Sequence, residues 1–253
     1  MKYFLLFIFG LTVGSFLNVC IYRLPREKSV VFPPSSCPEC GHKLSGLDLV
    51  PVLSFLFLLG KCRYCRNKIH WRYPLVELLT AAGFVLSGLM YTDHVAMGAA
   101  IVFISSLLVI FFADLDLFIV PDEAVIAGSI AGITMAFVQK TIFSALLGGV
   151  IGGGFLLLIA VIGRAIYKKD VMGYGDVKLA AMLGVFLGAS NLIVALYLAF
   201  IIGSIIGVFL IVTGIKKKED YIPFAPSLVL GALPVFFYGE IIRKWWFGLL
   251  GFH

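Results

Sequence analysis

Eight apolar stretches, each close to or above the ~20 residues that cross a hydrocarbon core, follow one another at about 1–22, 74–92, 95–113, 122–139, 141–163, 177–190, 191–215 and 225–250. Soluble domains keep a roughly even apolar share, whereas 61% of these 253 residues are apolar and only 13% are charged. The expected solvent is the bilayer. The expected fold is an all-α polytopic membrane protein of about eight transmembrane helices. The sixth stretch is short and its boundary at Gly188-Ala189-Ser190-Asn191 is soft, so seven or nine spans also fit the hydropathy. Residues 1–19 carry one lysine and no Ala-x-Ala-like site, and they run straight into Arg23-Leu24-Pro25. They read as a retained first span and not as a cleaved signal.

Basic residues give the orientation, because positive juxtamembrane residues stay in the cytoplasm. With the N-terminus outside, nine Lys and Arg fall in 23–72, four in 164–178 and three at Lys216, Lys217 and Lys218. Only Lys2, Lys140, Arg243 and Lys244 remain outside. The net charge of +6 therefore reads as topology. It forms no basic stripe with interleaved aromatics, so no nucleic-acid partner is expected. Membrane lipids are the expected surroundings, with Trp245-Trp246 in an interfacial belt.

The polar segment 23–73 breaks the apolar pattern and carries Cys37-Pro38-Glu39-Cys40 and Cys62-Arg63-Tyr64-Cys65, two CxxC turns separated by twenty-one residues. That spacing is close to that of a four-thiolate zinc site. Zinc held by four sulfurs has no open position for water or substrate, so its role here would be structural. Two disulfides or four free thiols are the competing reading, which a reducing cytoplasm disfavours. Gly41 suits the turn after the first pair. His42 and His70 are expected at the solvated surface, and Cys20 is expected to pack as a small apolar group.

Ionisable side chains at membrane depth are costly and point to function. Candidates are Asp114 and Asp116 in Ala113-Asp114-Leu115-Asp116, Asp122 after Pro121, and Asp176 in Gly173-Tyr174-Gly175-Asp176. Two residues apart on a helix is about 200°, so Asp114 and Asp116 cannot face one site. Asp122 is placed as a helix N-cap. Gly173 and Gly175 remove side chains beside Asp176, which lets a substrate backbone approach. Two close carboxyl groups in a low-dielectric site share one proton, the arrangement of aspartic proteases. Buried acidic pairs equally serve proton or cation transport. The glycines at 148, 149, 152, 153 and 154 are expected to allow close helix packing, and a bend, in the fifth span.

Read in order, Gly14-Ser15-Phe16-Leu17-Asn18-Val19 with Arg23-Leu24-Pro25, the double CxxC, and Arg72-Tyr73-Pro74-Leu75-Val76-Glu77-Leu78 resemble the type IV prepilin peptidase (leader peptidase/N-methyltransferase) family. The resemblance continues through Asp114-Leu115-Asp116, Val120-Pro121-Asp122 and Gly173-Tyr174-Gly175-Asp176-Val177-Lys178-Leu179. It implies an aspartic endopeptidase of the Gly-x-Gly-Asp class in the bacterial inner membrane, with Asp114 and Asp176 as the catalytic pair. It further implies cleavage, at the cytoplasmic face, of a short basic leader from prepilins or pseudopilins. N-methylation of the new terminus by S-adenosylmethionine follows in many members. The implied division is a first helix at 1–22, a methyltransferase-associated insert at 23–73 with Cys37, Cys40, Cys62 and Cys65 on zinc, and a protease core at 74–253.

Gly173, Gly175, Lys178 and Glu77 are candidate supports for the substrate. Lys178 would tune Asp176 or anchor at the interface, and Glu77 would meet the leader or the new amine, cap a helix or pair with Arg72. The methyl-donor site has no motif of its own. Ala225 in Pro223-Phe224-Ala225-Pro226 and the following Ser227 depart from the family pattern, where glycine and a larger residue are usual. A peptidase without methylation, a transporter with a zinc-stabilised insert and a membrane scaffold remain as competing readings.

Overall fold

The computed structural model describes residues 1–168, 172–217 and 220–249. Lys218, and the side chains of Arg243, Trp245 and Trp246, lie outside the described residues. Each apolar stretch forms one long helix: α1 (Lys2–Arg23), α3 (Arg72–Met90), α4 (His94–Leu117), α5 (Asp122–Val138), α6 (Ile142–Tyr167), α7 (Tyr174–Leu187), α8 (Ala189–Val212) and α9 (Ala225–Leu249). A short α2 (Leu53–Phe57) and a 3-10 turn at Gly46–Leu49 lie in the segment between α1 and α3. Six of the eight long helices are long and apolar enough to cross a membrane. The others are α5, with 17 residues, and α7, with 14. At 1.5 Å per residue α7 reaches about 21 Å, short of a ~30 Å hydrocarbon core.

The chain divides into two compact units, Met1–Val109 and Ile110–His253. In the first, α1 lies against α3. The glycines of α1 set the approach: a Cβ on Gly10 would stand 2.6 Å from Ala81 Cα, and one on Gly14 would stand 2.6 Å from Glu77 Cα. Phe4, Leu5 and Phe9 on the same helix are exposed. An apolar face left open is what a bilayer solvent permits.

In the second unit α7 is central, packing on α5, α6, α8 and α9. Polar groups at membrane depth are tolerated where protein surrounds them. The α6–α7 contact is built from small residues at four-residue spacing on both helices, Gly148 and Gly152 against Ala180 and Gly184. A Cβ on Gly152 would stand 2.8 Å from the Ala180 carbonyl carbon. The glycine run thus permits close packing, as expected, but α6 continues as one unbroken helix through it. The interruption falls in α9, where Tyr238 (φ −128°, ψ 25°) leaves helical geometry four residues after Pro234. Pro234 itself removes the rung back to Leu230, one turn earlier.

The insert contains a repeat that apolar patterning does not reveal. At an offset of twenty-five residues the two CxxC turns share one backbone scheme. The Cys37 N–H donates to His42 C=O (2.9 Å) and the Gly41 N–H to Cys37 C=O (2.9 Å). In the second turn the Cys62 N–H donates to Asn67 C=O (2.8 Å) and the Arg66 N–H to Cys62 C=O (3.0 Å). Each turn closes with a bridge, Ser36 to Lys43 and Lys61 to Lys68. Gly41 (φ 70°) and Arg66 (φ 63°) take the same left-handed conformation. It is free for glycine and costs an L-residue about 1–2 kcal/mol.

Candidate active site

Asp114 lies one turn before the end of α4 and is only 4% exposed, while Asp116 is exposed. The two residues therefore face different surroundings, as their angular separation requires. Asp114 accepts the Ala225 backbone N–H at the start of α9. Its Oδ2 has no hydrogen-bond partner among the described residues, an exceptional state for a buried carboxylate oxygen.

Asp176 is likewise 4% exposed, in the first turn of α7. Gly173 is the N-cap; its carbonyl accepts the Asp176 N–H at 3.1 Å, and its own N–H donates to the Asp176 carboxyl. This is the back-reaching half of a capping box, and it fixes the carboxylate against the helix start. Asp114 lies near enough for its charge to act on Asp176. Three chain segments far apart in sequence thus bring two buried carboxyl groups together: the end of α4, the start of α7 and the start of α9.

The two glycines of the Asp176 loop do different work. A Cβ on Gly175 would fall 2.8 Å from Val120 Cβ, so that glycine lets the loop pack on the chain itself. The nearest atoms to a Cβ on Gly173 would be Tyr221 Oη at 3.5 Å, Asp176 Oδ2 at 3.8 Å and the Gly175 nitrogen at 3.9 Å, all ordinary contacts. Space for an incoming backbone is therefore beside Gly173.

Tyr221 closes that space. Its ring packs edge-on against Phe118 at 5.4 Å. Burial, with the charges of Asp176 and Asp114, pushes its phenol above the ordinary range, so it stays a donor at neutral pH. Pattern reading missed Tyr221 because a tyrosine in a polar loop carries no motif. Its available signal was position, two residues before Pro223-Phe224-Ala225-Pro226. Ala225 serves through its backbone N–H, which its side chain does not advertise.

Lys178 pairs with Asp122 at 2.7 and 3.0 Å. Pro121 is the N-cap of α5, so Asp122 stands at the first helical position, where its charge still suits the helix N-terminus. Glu77 is 7% exposed in the first unit, where it accepts the Val52 N–H at 2.7 Å and the Ser15 hydroxyl.

The Sγ atoms of Cys37, Cys40, Cys62 and Cys65 all lie within 4.8 Å of one another, with Cys37 and Cys65 at 3.9 Å. A tetrahedral site with ~2.3 Å metal–sulfur bonds has edges of about 3.8 Å. Backbone N–H groups of Cys65 and Tyr64 turn onto Cys62 and lower its thiol to about 7, favouring the thiolate a metal needs. The cluster is able to hold a metal ion, and the four cysteines fit a closed sulfur site. Asp48 ties it to the rest of the insert, accepting Arg63 Nε at 2.6 Å, Tyr64 Oη at 3.2 Å and Ser45 Oγ at 2.7 Å. His42 stacks on Tyr64 at 3.6 Å between centroids, and both His42 and His70 are exposed. Cys20 is buried in α1.

Residues 8–91 match the family model of the bacterial peptidase A24 N-terminal domain, and residues 101–208 match that of the type IV leader peptidase family. The chain is 35% identical over 240 residues to a prepilin leader peptidase/N-methyltransferase of Bacillus subtilis, covering 94% of this chain and 95% of that protein. Proteins of the same name from Aeromonas hydrophila (33% over 277 residues, 96% and 92% covered) and Dichelobacter nodosus (34% over 268 residues, 94% and 92% covered) are similar over the same extent. No solved structure matches. With two family models matched in order and relatives aligned along nearly its whole length, this multi-pass membrane chain belongs to the type IV leader peptidase family.

Proposed function

We propose that the chain is a prepilin or pseudopilin leader peptidase that cuts with the Asp114–Asp176 pair and then N-methylates the new terminus from S-adenosylmethionine. The observation that carries the cleavage step is the pairing of two buried carboxyl groups, one with an unpartnered oxygen, beside the side-chain-free surface of Gly173. Close carboxyl groups in a low-dielectric site cannot both be ionised. The ionised member takes a proton from water as the water attacks the scissile carbonyl. The protonated member donates to the carbonyl oxygen, and the roles reverse as the tetrahedral intermediate collapses. The Gly173 space admits the substrate backbone next to Asp176, with the Tyr221 phenol available as a further donor. Ala225 and Gly173 hold the two carboxylates through backbone N–H groups, whose positions a side-chain substitution does not move directly.

The division of labour follows the sequence. Segment 23–73 serves the methylation half, with Cys37, Cys40, Cys62 and Cys65 on structural zinc. Segment 74–253 carries the protease. The basic residues of 164–178, which include Lys178 beside Asp176, support a cut at the cytoplasmic face, where a basic leader would be retained. Transport of a proton or cation is disfavoured by the match of relatives along the whole chain.

The test is to incubate the detergent-purified full chain with a prepilin segment and to record product masses. A leaderless peptide, heavier by one methyl group only when S-adenosylmethionine is supplied, is expected. An intact substrate after long incubation with zinc-replete protein would remove the reading.

A further inference from the structure

Two motifs remain outside the cleavage chemistry, Gly14-Ser15-Phe16-Leu17-Asn18 on α1 and the Val76-Glu77 segment of α3. Their polar side chains meet in the interior of the first unit. The Asn18 Nδ2 donates to the Gly14 carbonyl at 3.3 Å and to the Tyr73 carbonyl at 3.1 Å. Those two acceptors fix the amide orientation, since a flip would set Oδ1 against two carbonyl oxygens. The Oδ1 so placed is buried, in a residue 4% exposed, and has no partner among the described residues. One turn along α3 from Tyr73 stands Glu77, which takes the hydroxyl of Ser15, itself three residues before Asn18. A turn is about 5.4 Å, so the carboxylate and the unpaired amide oxygen belong to neighbouring turns of the one α1–α3 contact, where Gly14 closes on Glu77. A backbone donor to Glu77 is the N–H of Val52, a β-branched residue held at φ 60°. Strain of that kind gathers at ligand sites.

We propose that Glu77 and Asn18 receive the free α-amine of the cleaved substrate, Glu77 as proton acceptor and Asn18 Oδ1 as second hydrogen-bond acceptor. The inference rests on the methyltransferase half of the function proposed above. An α-ammonium presents three N–H donors and titrates near 8; it needs acceptors and the loss of one proton before its lone pair is available. The proton passes from the ammonium nitrogen to a Glu77 oxygen. The N–C bond then forms as the donor's S–CH3 bond breaks with its electron pair left on sulfur. The methylammonium product leaves, and Glu77 returns its proton to solvent. Both acceptors lie on membrane helices beside the insert turn at Val52, so they draw on the insert without using its thiolates.

The experiment is equilibrium binding of a fluorescent leaderless prepilin peptide, with a free or an N-acetylated terminus, to the full chain in detergent with no methyl donor. The wild type is expected to prefer the free amine by about tenfold, the scale of one charge-assisted hydrogen bond. Glu77→Gln keeps the acceptor geometry but removes the charge. It is expected to lose the preference and, once S-adenosylmethionine is added, to methylate the free-amine peptide at least about tenfold more slowly, at wild-type zinc content and thermal midpoint. Should that variant fail to fold, Asn18→Ser decides by the same preference, which falls if Oδ1 is an acceptor and stays if it is not. Equal binding of both peptides by wild type overturns the inference and leaves cleavage standing. Loss of methyl-donor binding in Glu77→Gln with the amine preference intact also overturns it, assigning the site to the donor's cation. A wild type that binds the free amine but never methylates it overturns the methyltransferase reading itself.

Discussion

Replacing each glycine of the Asp176 loop by alanine should damage the protein in two separable ways. At Gly173 the backbone (φ −73°, ψ 142°) suits any residue. The added methyl would sit at 3.5 Å from Tyr221 Oη and 3.8 Å from Asp176 Oδ2, ordinary contact distances. Stability should change by no more than about 1 kcal/mol, the scale of a poorer N-cap. The methyl, however, occupies the side-chain-free approach to the carboxylate beside Gly173. A substrate displaced by about 1 Å loses roughly a hundredfold in rate, about 2.7 kcal/mol of barrier. At Gly175 the methyl would stand 2.8 Å from Val120 Cβ and 2.9 Å from its Cγ2. Overpacking of that degree costs about 1–3 kcal/mol, offset by about 1 kcal/mol of helix propensity. Trimming the neighbour with Val120→Ala should make Gly175→Ala less costly than in the wild-type background, a coupling expected of residues in contact. Thermal unfolding in detergent reads the first quantity and kcat/KM on a prepilin peptide reads the second. Gly173→Ala cleaving at the wild-type rate, or Val120→Ala giving no relief to Gly175→Ala, would refute this division of roles.

The insert offers an independent check, because Arg66 occupies the conformation that Gly41 holds in the paired turn. Arg66→Gly should leave metal content unchanged and raise the insert's resistance to proteolysis by the equivalent of about 1 kcal/mol, and Gly41→Ala should lower it by a similar amount. Removing zinc with a chelator should make residues 23–73 protease-sensitive while the helical circular dichroism of the membrane helices persists, since metal binding supplies the folding free energy of so small a unit. Tyr221→Phe should lower kcat about tenfold with KM nearly unchanged, the loss of one hydrogen bond to developing charge being about 1.4 kcal/mol. An unchanged kcat would remove the phenol from the catalytic step.

Helix number and order were readable because membrane spans announce themselves by length and hydropathy, and eight stretches became eight helices. Their depths were not. Hydropathy treats α7 as one more span, yet its 14 residues lie among four other helices that satisfy what the bilayer would not. The cysteines were legible from spacing alone, but the twenty-five-residue duplication around them lies in backbone hydrogen bonds and a repeated positive φ. Sequence spacing separated Asp114 from Asp116 without choosing between them, and the choice came from resemblance. The structure separates them by burial, Asp114 enclosed and Asp116 exposed. Tyr221 and the Ala225 N–H were invisible because their contribution depends on a chain reversal that brings residue 221 beside residues 173 and 176. Proximity in sequence likewise did not give the partner of Lys178, which lies two residues from Asp176 but pairs with Asp122.

The most direct test of the central claim is the initial rate of prepilin peptide cleavage by Asp114→Asn, Asp176→Asn and Asp116→Asn proteins of matched zinc content and thermal midpoint. Loss of either member of the pair is predicted to lower the rate by at least about a thousandfold, and Asp116→Asn to stay within about threefold of wild type, the range of an exposed substitution. Cleavage by Asp114→Asn or Asp176→Asn at more than about a tenth of the wild-type rate would contradict the two-carboxylate mechanism.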